Sequence, residues 1–479
     1  MERVRIGFVP ASRTIFDAKL AVKVKGAALE AMKEAGLEPV SPGDDLTQNG
    51  LVQTPEEARK AALLFEDSDV AGVVIGALNF GNEVPAAMAA TVPGRQLPVM
   101  LFGVGEEGRL AREKSRRDAF CGLISIATAL RHREVRFAFP RVSAVGYPED
   151  ASLKKAFSEF GRACRAVKGV RGAVYAQVGP RPADFETCAY DELSLLRKLG
   201  TRIVPVPLST LFSLTAFAKE SRVREVFEDM AASADRSRVS DMDLSKMARL
   251  EVVLEDLVEE HGLDGMAIQC WTSFQDDYGI SPCFAMARLT DCGVPCACEA
   301  DVHGTVSMHM LSLVAERPAG LADWNNRHYM QPDVFSAWHC GVFPPSMTRG
   351  TKAIGMHDIL AASTGTDEGK YGTVELSIDE GSVTMCRVTE HPMEEWPVLV
   401  AEGRSVVAEG DPPGSNAWVR VADLDALYSE ILRGFPHHTA IARGSCGSAA
   451  AVAAYFLGMD PVLPLGLDKT ALEAGPEFP

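Results

Sequence analysis

The strongest constraint in this chain is the run DVAGVVIGAL at residues 69–78, together with its place in a series. A near-continuous stretch of β-branched and small apolar residues fits a strand covered on both faces, as in a parallel sheet. RVRIGFV (3–9) before it and LPVMLFGVG (97–105) after it read the same way, and LEPVSP (37–42) supplies a further strand. Helix signals fill the gaps. One helix is predicted from Ala18 to the stop at Gly36, and another starts at Thr54-Pro55-Glu56-Glu57, with Thr54 as N-cap, Pro55 at the first helical position and Glu57 closing a capping box. Such alternation predicts a doubly wound α/β domain over residues 1–140. Arg117–Gly122 opens its closing helix.

In doubly wound sheets ligands bind beyond the carboxyl ends of the strands. That singles out Arg13 after the first strand and Asn79 after the third as candidate substrate contacts. The alternative is local: Arg13 pairs with a nearby acid and Asn79 caps a turn. GVGEEG (103–108) has glycines but neither the spacing nor the following helix of a dinucleotide loop.

A second α/β unit is predicted over 141–318, its first strand within FAFPRVSAVGYPED (137–150). VRGAVYAQVGPRP, TRIVPVPLS and the helical DLSKMARLEVVLEDLVEEHG continue it, and GMAI (265–268) is a later strand. From that strand hangs the densest chemistry in the chain, Gln269 to Gly304, with five of the eleven cysteines, Gln269 beside Cys-Trp, Glu299, Asp301 and His303. The helical run TVSMHMLSLVAE (305–316) follows, where Met308 and Met310 read as core. After Pro318 the texture changes to aromatics, prolines and alternating strands. Residues 319–479 are therefore predicted to form a β-rich, barrel-like domain, with a hairpin turning at Asp379-Glu380-Gly381. The fold class is two doubly wound parallel-sheet domains followed by a β-rich C-terminal domain.

Composition removes some functions. A net charge of −17 disfavours nucleic acid and anionic membrane surfaces as partners. No run reaches the roughly eighteen apolar residues of a membrane span, and the N-terminus lacks a signal-peptide core. The expectation is a cytoplasmic chain with reduced thiols. The spacing of Cys292, Cys296 and Cys298 does not match the paired cysteines of a structural zinc site.

Carboxylates with imidazole suit a hard or borderline divalent metal. Glu299, Asp301, His303, His339, His437 and His438 are the candidates. Two carboxylates turned to one side repel unless a cation lies between them; otherwise they bond backbone amides in a turn. His339 and Cys340, as strand neighbours, should point to opposite faces and form no pair.

Three stretches taken together resemble the L-fucose isomerase and L-arabinose isomerase superfamily, most closely its fucose isomerase branch. They are SRTIFD, NFGNE and RRDAFCG in the first domain, GMAIQCWTSF with CEADVHG, and the closing PHHTAIARGSCG with LGMDPV. The resemblance implies an aldose–ketose isomerase of carbohydrate metabolism, working through a cis-enediol on a divalent metal, most commonly Mn²⁺. It implies metal ligation by Asp301 and His438, with Glu299 as a further ligand, and proton transfer by carboxylates. It also implies substrate contacts from His437, Gln269 and Trp271, and a homo-oligomer with sites between subunits. One position departs from the pattern: where the family carries a second metal-binding acid that is also the base, Cys283 stands. Glu299, Asp276 or Asp277 replaces that base, or Cys283 itself enters the chemistry on a softer metal. The alternatives are a different carbohydrate reaction on the same fold and metal, and a non-catalytic sugar-binding protein.

Overall fold

The computed structural model describes residues 3–91, 95–112, 116–410, 412–466 and 472–475. The chain forms two compact units. One gathers Met1–Lys168 with Ala451–Phe456 and the C-terminal strand Leu472–Ala474; the other holds Gly169–Ala450 and Leu457–Leu467.

The first unit has strands β1 (Val4–Ala11), β2 (Leu37–Val40), β3 (Gly72–Ala77), β4 (Val99–Val104), β5 (Phe137–Pro140) and β6 (Val145–Gly146). They run parallel in the order β2-β1-β3-β4-β5, with β6 also on β4 and Leu472–Ala474 antiparallel on the edge of β5. FAFP therefore completes the first sheet instead of opening the second unit. Its residues alternate too little to specify which sheet they join, and the antiparallel partner comes from the far end of the chain. Val73, Ile75, Val99 and Leu101 lie in the core at 0–1 % exposure, each fully buried side chain contributing roughly 1.5–3 kcal/mol. The helix Pro55–Asp67 starts as its sequence predicts, with the Thr54–Glu57 capping box formed in both directions. Helix Ala119–Arg131 packs so closely that a Cβ at Gly122 would fall 1.6 Å from the Phe80 carbonyl oxygen. Only glycine fits there.

The second unit opens with β7 (Val174–Val178), β8 (Arg202–Val206), β9 (Gly265–Ile268) and β10 (Cys296–Ala297), parallel in the order β10-β9-β7-β8. The chain leaves β7 to one side for β8 and then crosses to the other for β9. The crevice at the carboxyl ends of β7 and β9 is thus the switch point where such sheets take ligands.

The rest of this unit is β11 (Gly320–Arg327), β12 (Val334–His339), β13 (Ala353–Met356), β14 (Tyr371–Ser377), β15 (Gly381–Val388), β16 (Pro397–Val406), β17 (Ser415–Arg420), β18 (His438–Arg443) and β19 (Asp460–Val462). Pairings run β17-β12-β11-β18-β15-β16 and return from β16 to β17, so six antiparallel strands close a barrel. β14 lies parallel to β17, carrying β13, and β19 lies parallel to β16. The hairpin expected at Asp379–Gly381 does not form. β14 and β15 flank that turn, but β14 pairs with β13 and β17 while β15 pairs with β16 and β18. The turn sends the chain to another part of the barrel.

Candidate active site

The loop leaving β10 builds the site. Glu299 and Ala300 both take left-handed backbone angles, φ 60° and 52°, each costing about 1–2 kcal/mol for a residue with a Cβ. The backbone is held there by Ala300 N–H to the Ile268 carbonyl (3.0 Å) and Asp301 N–H to the Cys298 carbonyl (3.0 Å). Strain maintained by its surroundings clusters at functional sites. Here it turns two acids inward within three residues.

Asp301 then caps helix Val302–Ala315, its Oδ1 accepting from Gly304 N–H at 2.8 Å. From β15, the fully buried Arg387 guanidinium donates to Asp301 Oδ2 at 2.5 Å and to Oδ1 at 3.2 Å. From β18, His438 Nδ1 lies 2.8 Å from Oδ2. Burial alone raises the Asp301 carboxyl, but Arg387 and His438 override it and hold it far below the ordinary carboxylate range. Asp301 is thus an ionised carboxylate whose oxygens are already engaged.

The bond to Asp301 places a proton on Nδ1 of His438 and leaves Nε2 facing away from it. Nε2 comes within 3.1 Å of Glu299 Oε2 and 3.6 Å of Asp323 Oδ1. All three atoms are buried without a hydrogen-bond partner. Asp323 stands directly opposite His438 across the β11–β18 pairing. The other Glu299 oxygen accepts from Trp271 Nε1–H at 3.2 Å. Burial pushes Glu299 up, but His437 and His438 bring it down to about 2. Burial lowers His438, but Asp301, Cys188 and Glu299 raise it well above the usual histidine range. The pocket therefore draws positive charge. A divalent cation would satisfy the orphaned His438 Nε2 together with Glu299 and Cys188, or together with Asp323 and His437, the two sets whose ligand atoms lie within 4.8 Å of one another.

His437 completes the rim. Its Nδ1 is 3.1 Å from the Thr187 hydroxyl, its Nε2 is 3.7 Å from Glu299 Oε2, and its ring meets Phe185 edge-on, as does Trp271. Phe185, Thr187 and the buried Cys188 come from the loop after β7, and Cys188 offers its sulfur beside Glu299 and His438. Gln269 lies against Gly179, whose added Cβ would be 2.6 Å from its Oε1. His303 is buried beside Trp396 and 4.0 Å from Glu390 Oε2; burial and the Arg387 charge lower it to about 4.

The remaining sequence candidates have surroundings of their own. Arg13 and Asn79 belong to the first unit, where they knit the β1 and β3 loops together. Asn79 accepts from Arg13 N–H and donates to Ser12 Oγ, while the Arg13 guanidinium binds the Gly81 carbonyl and Glu83. Asp276 and Asp277 are exposed on the turn Phe274–Tyr278. Cys283 starts helix Cys283–Asp291, its sulfur grouped with those of Cys298 and Cys340. The expectation that His339 and Cys340 stay apart is overturned. His339 Nδ1 is 3.1 Å from Cys340 Sγ and accepts from the Cys340 backbone N–H at 3.0 Å. β12 ends at His339, so strand alternation no longer separates the pair.

Asp323 and Arg387 were not singled out by the sequence. The available signal was a single charge in an apolar strand, in GLADW and in TMCRV, since a buried charge demands a partner.

Residues 7–171 match the family described as fucose/sulfoquinovose isomerase, N-terminal domain. Curated sulfoquinovose isomerases from Priestia aryabhattai and Priestia megaterium are each 24% identical to the chain over 456 residues, covering 93% of it and 95% of their own length. One from Alkalicoccus urumqiensis is 25% identical over 327 residues, 66% of this chain and 69% of its own. The fucose isomerase-like resemblance read from the motifs is borne out over most of the chain.

Proposed function

Taking the chain as a relative of the fucose isomerase-like proteins, we propose that it is a metal-dependent aldose–ketose isomerase acting on a modified sugar, with sulfoquinovose as the first substrate to test. The likeness to named isomerases across 93% of the chain supports an aldose–ketose isomerase. The observation that carries the metal is His438 Nε2, buried without a hydrogen-bond partner, with the equally unpartnered Glu299 Oε2 at 3.1 Å and Asp323 Oδ1 at 3.6 Å from it. In this reading those three side chains hold the ion. Asp301, engaged by Arg387 and Gly304, stands one step behind His438 and fixes its ring.

A bound divalent cation, Mn²⁺ by the family resemblance, supplies Lewis acidity toward the sugar's carbonyl and hydroxyl oxygens. The protein's own groups do the rest. Glu299 is ionised at neutral pH, with one oxygen fixed by Trp271, and moves the proton between C1 and C2. Trp271, Phe185 and His437 form an aromatic wall for the sugar ring. Cys283, in the thiol group, takes no part in proton transfer. By resemblance the working form is a homo-oligomer, which sedimentation of the purified chain tests. Among the described residues no helix is long and apolar enough to cross a membrane.

The test is chelator-stripped protein refilled with Mn²⁺ and incubated in deuterated water with sulfoquinovose, fucose, arabinose and glucose. Ketose formation with solvent deuterium at the carbon next to the carbonyl is expected, and Glu299→Gln should abolish it. Binding of these sugars without turnover by the Mn²⁺-loaded protein would sink the isomerase reading.

A further inference from the structure

Three cysteines from three separate segments meet in the second unit. Cys283 opens its helix, Cys298 follows β10 and Cys340 follows β12. All three are buried and none is in a disulfide. Their sulfurs lie within 4.8 Å of one another.

A buried cysteine taken alone is a small hydrophobe. Packing as filler, however, gives no reason for sulfur to seek sulfur, because thiols are weak donors and weak acceptors. The separations suit something else. A tetrahedral ion with metal–sulfur bonds of about 2.3 Å sets its sulfurs about 3.8 Å apart, within the span seen here. The Cys340 sulfur also lies 3.1 Å from His339 Nδ1, which accepts from the Cys340 backbone N–H at 3.0 Å and so fixes the turn that presents this sulfur. Soft thiolates select ions such as Zn²⁺ over Mn²⁺ or Mg²⁺.

We propose that Cys283, Cys298 and Cys340 form a second, soft-metal site for an ion of the Zn²⁺ class. Binding releases the thiol protons to solvent and changes no oxidation state. The site is structural in effect. Cys298 precedes Glu299 and Cys340 follows His339, so one ion ties the two segments that present those side chains to the helix that Cys283 opens.

The experiment uses the full chain purified without added chelator. Elemental analysis should find about one equivalent of zinc per chain that survives dialysis against EDTA and is released when an organomercurial titrates the thiols. Replacing it with Co²⁺ should give the intense near-ultraviolet thiolate-to-metal absorption, which persists in His438→Ala and disappears in Cys298→Ser. Should Cys298→Ser not fold, Cys283→Ser gives the same reading, and the mercurial release on the unaltered chain needs no variant. A cobalt spectrum without thiolate absorption, thiols that titrate with no metal released, or a disulfide between two of these cysteines in the alkylated protein would each overturn the proposal.

Discussion

Replacing Asp301 by Asn tests whether this carboxylate touches the metal or stands behind its ligand. The substitution keeps the shape and removes the charge. Its effects divide into two measurable parts. Arg387, at 0 % exposure, loses the anion that accepted from it at 2.5 and 3.2 Å, and breaking such a buried pair from one side costs about 3–5 kcal/mol. His438 loses the acceptor 2.8 Å from Nδ1, so its ring and tautomer are held less firmly. For a partner one step behind a metal ligand the expected loss is about 10–100-fold in metal affinity, or about 1.4–2.7 kcal/mol. Urea unfolding with excess EDTA, which removes the linkage to metal, measures the first part; Mn²⁺ titration against a competing chelator measures the second. Arg387→Met should destabilise comparably, and the double variant by clearly less than the sum. An affinity for Mn²⁺ equal to that of the unaltered chain would remove Asp301 from the site. An affinity lost as completely as in a Glu299→Ala, Asp323→Ala double variant would make it a direct ligand. Either result refutes the positioning role.

Further consequences follow from the same geometry. Trp271→Phe removes the N–H that Glu299 accepts at 3.2 Å while keeping an aromatic ring; kcat should fall while stability changes by about 1 kcal/mol, and an unchanged kcat would deny Trp271 its part. His303, lowered to about 4 from 6.5 by burial and by the Arg387 charge, takes up its proton in the unfolded chain before it does in the folded one. Its contribution is therefore fully present above pH 6.5 and is lost as pH falls toward and through 4, to a limit of about 3 kcal/mol. Urea midpoints at pH 7.5 and 4.5 should separate less in His303→Gln than in the unaltered chain, and equal separation would contradict this. In the first unit, Gly122→Ala sets a methyl 1.6 Å from the Phe80 carbonyl oxygen and should lower stability by more than about 2 kcal/mol; a thermal midpoint within a degree of the unaltered value would be the contrary result.

Local chemistry made much of the first sheet readable. The buried runs of β1, β3 and β4 and the capping box at Thr54 each carry a pattern complete within a few residues. The acidic turn was readable as a turn of two converging acids, although its left-handed pair, Glu299 and Ala300, has no glycine to announce it. Barrel closure was not readable, because β16 meets β17 through backbone bonds that no side-chain period records. Asp323 and Arg387 escaped notice for a related reason. Each is one charge in a strand, and only the strand opposite shows whether it faces water or a partner. The thiol group combines residues 283, 298 and 340, whose spacing along the chain bears no relation to their spacing in the fold.

The strand Leu472–Ala474 on the edge of β5 has a consequence for how the protein is made. Until those residues leave the ribosome, β5 presents bare N–H and C=O groups along its outer side, the kind of edge that recruits other chains. The first unit is completed only by residues that follow the second unit along the chain. A shortened product ending before Leu472 should thus be soluble only while something else covers that edge, and a nascent chain stalled there is a natural client for a chaperone.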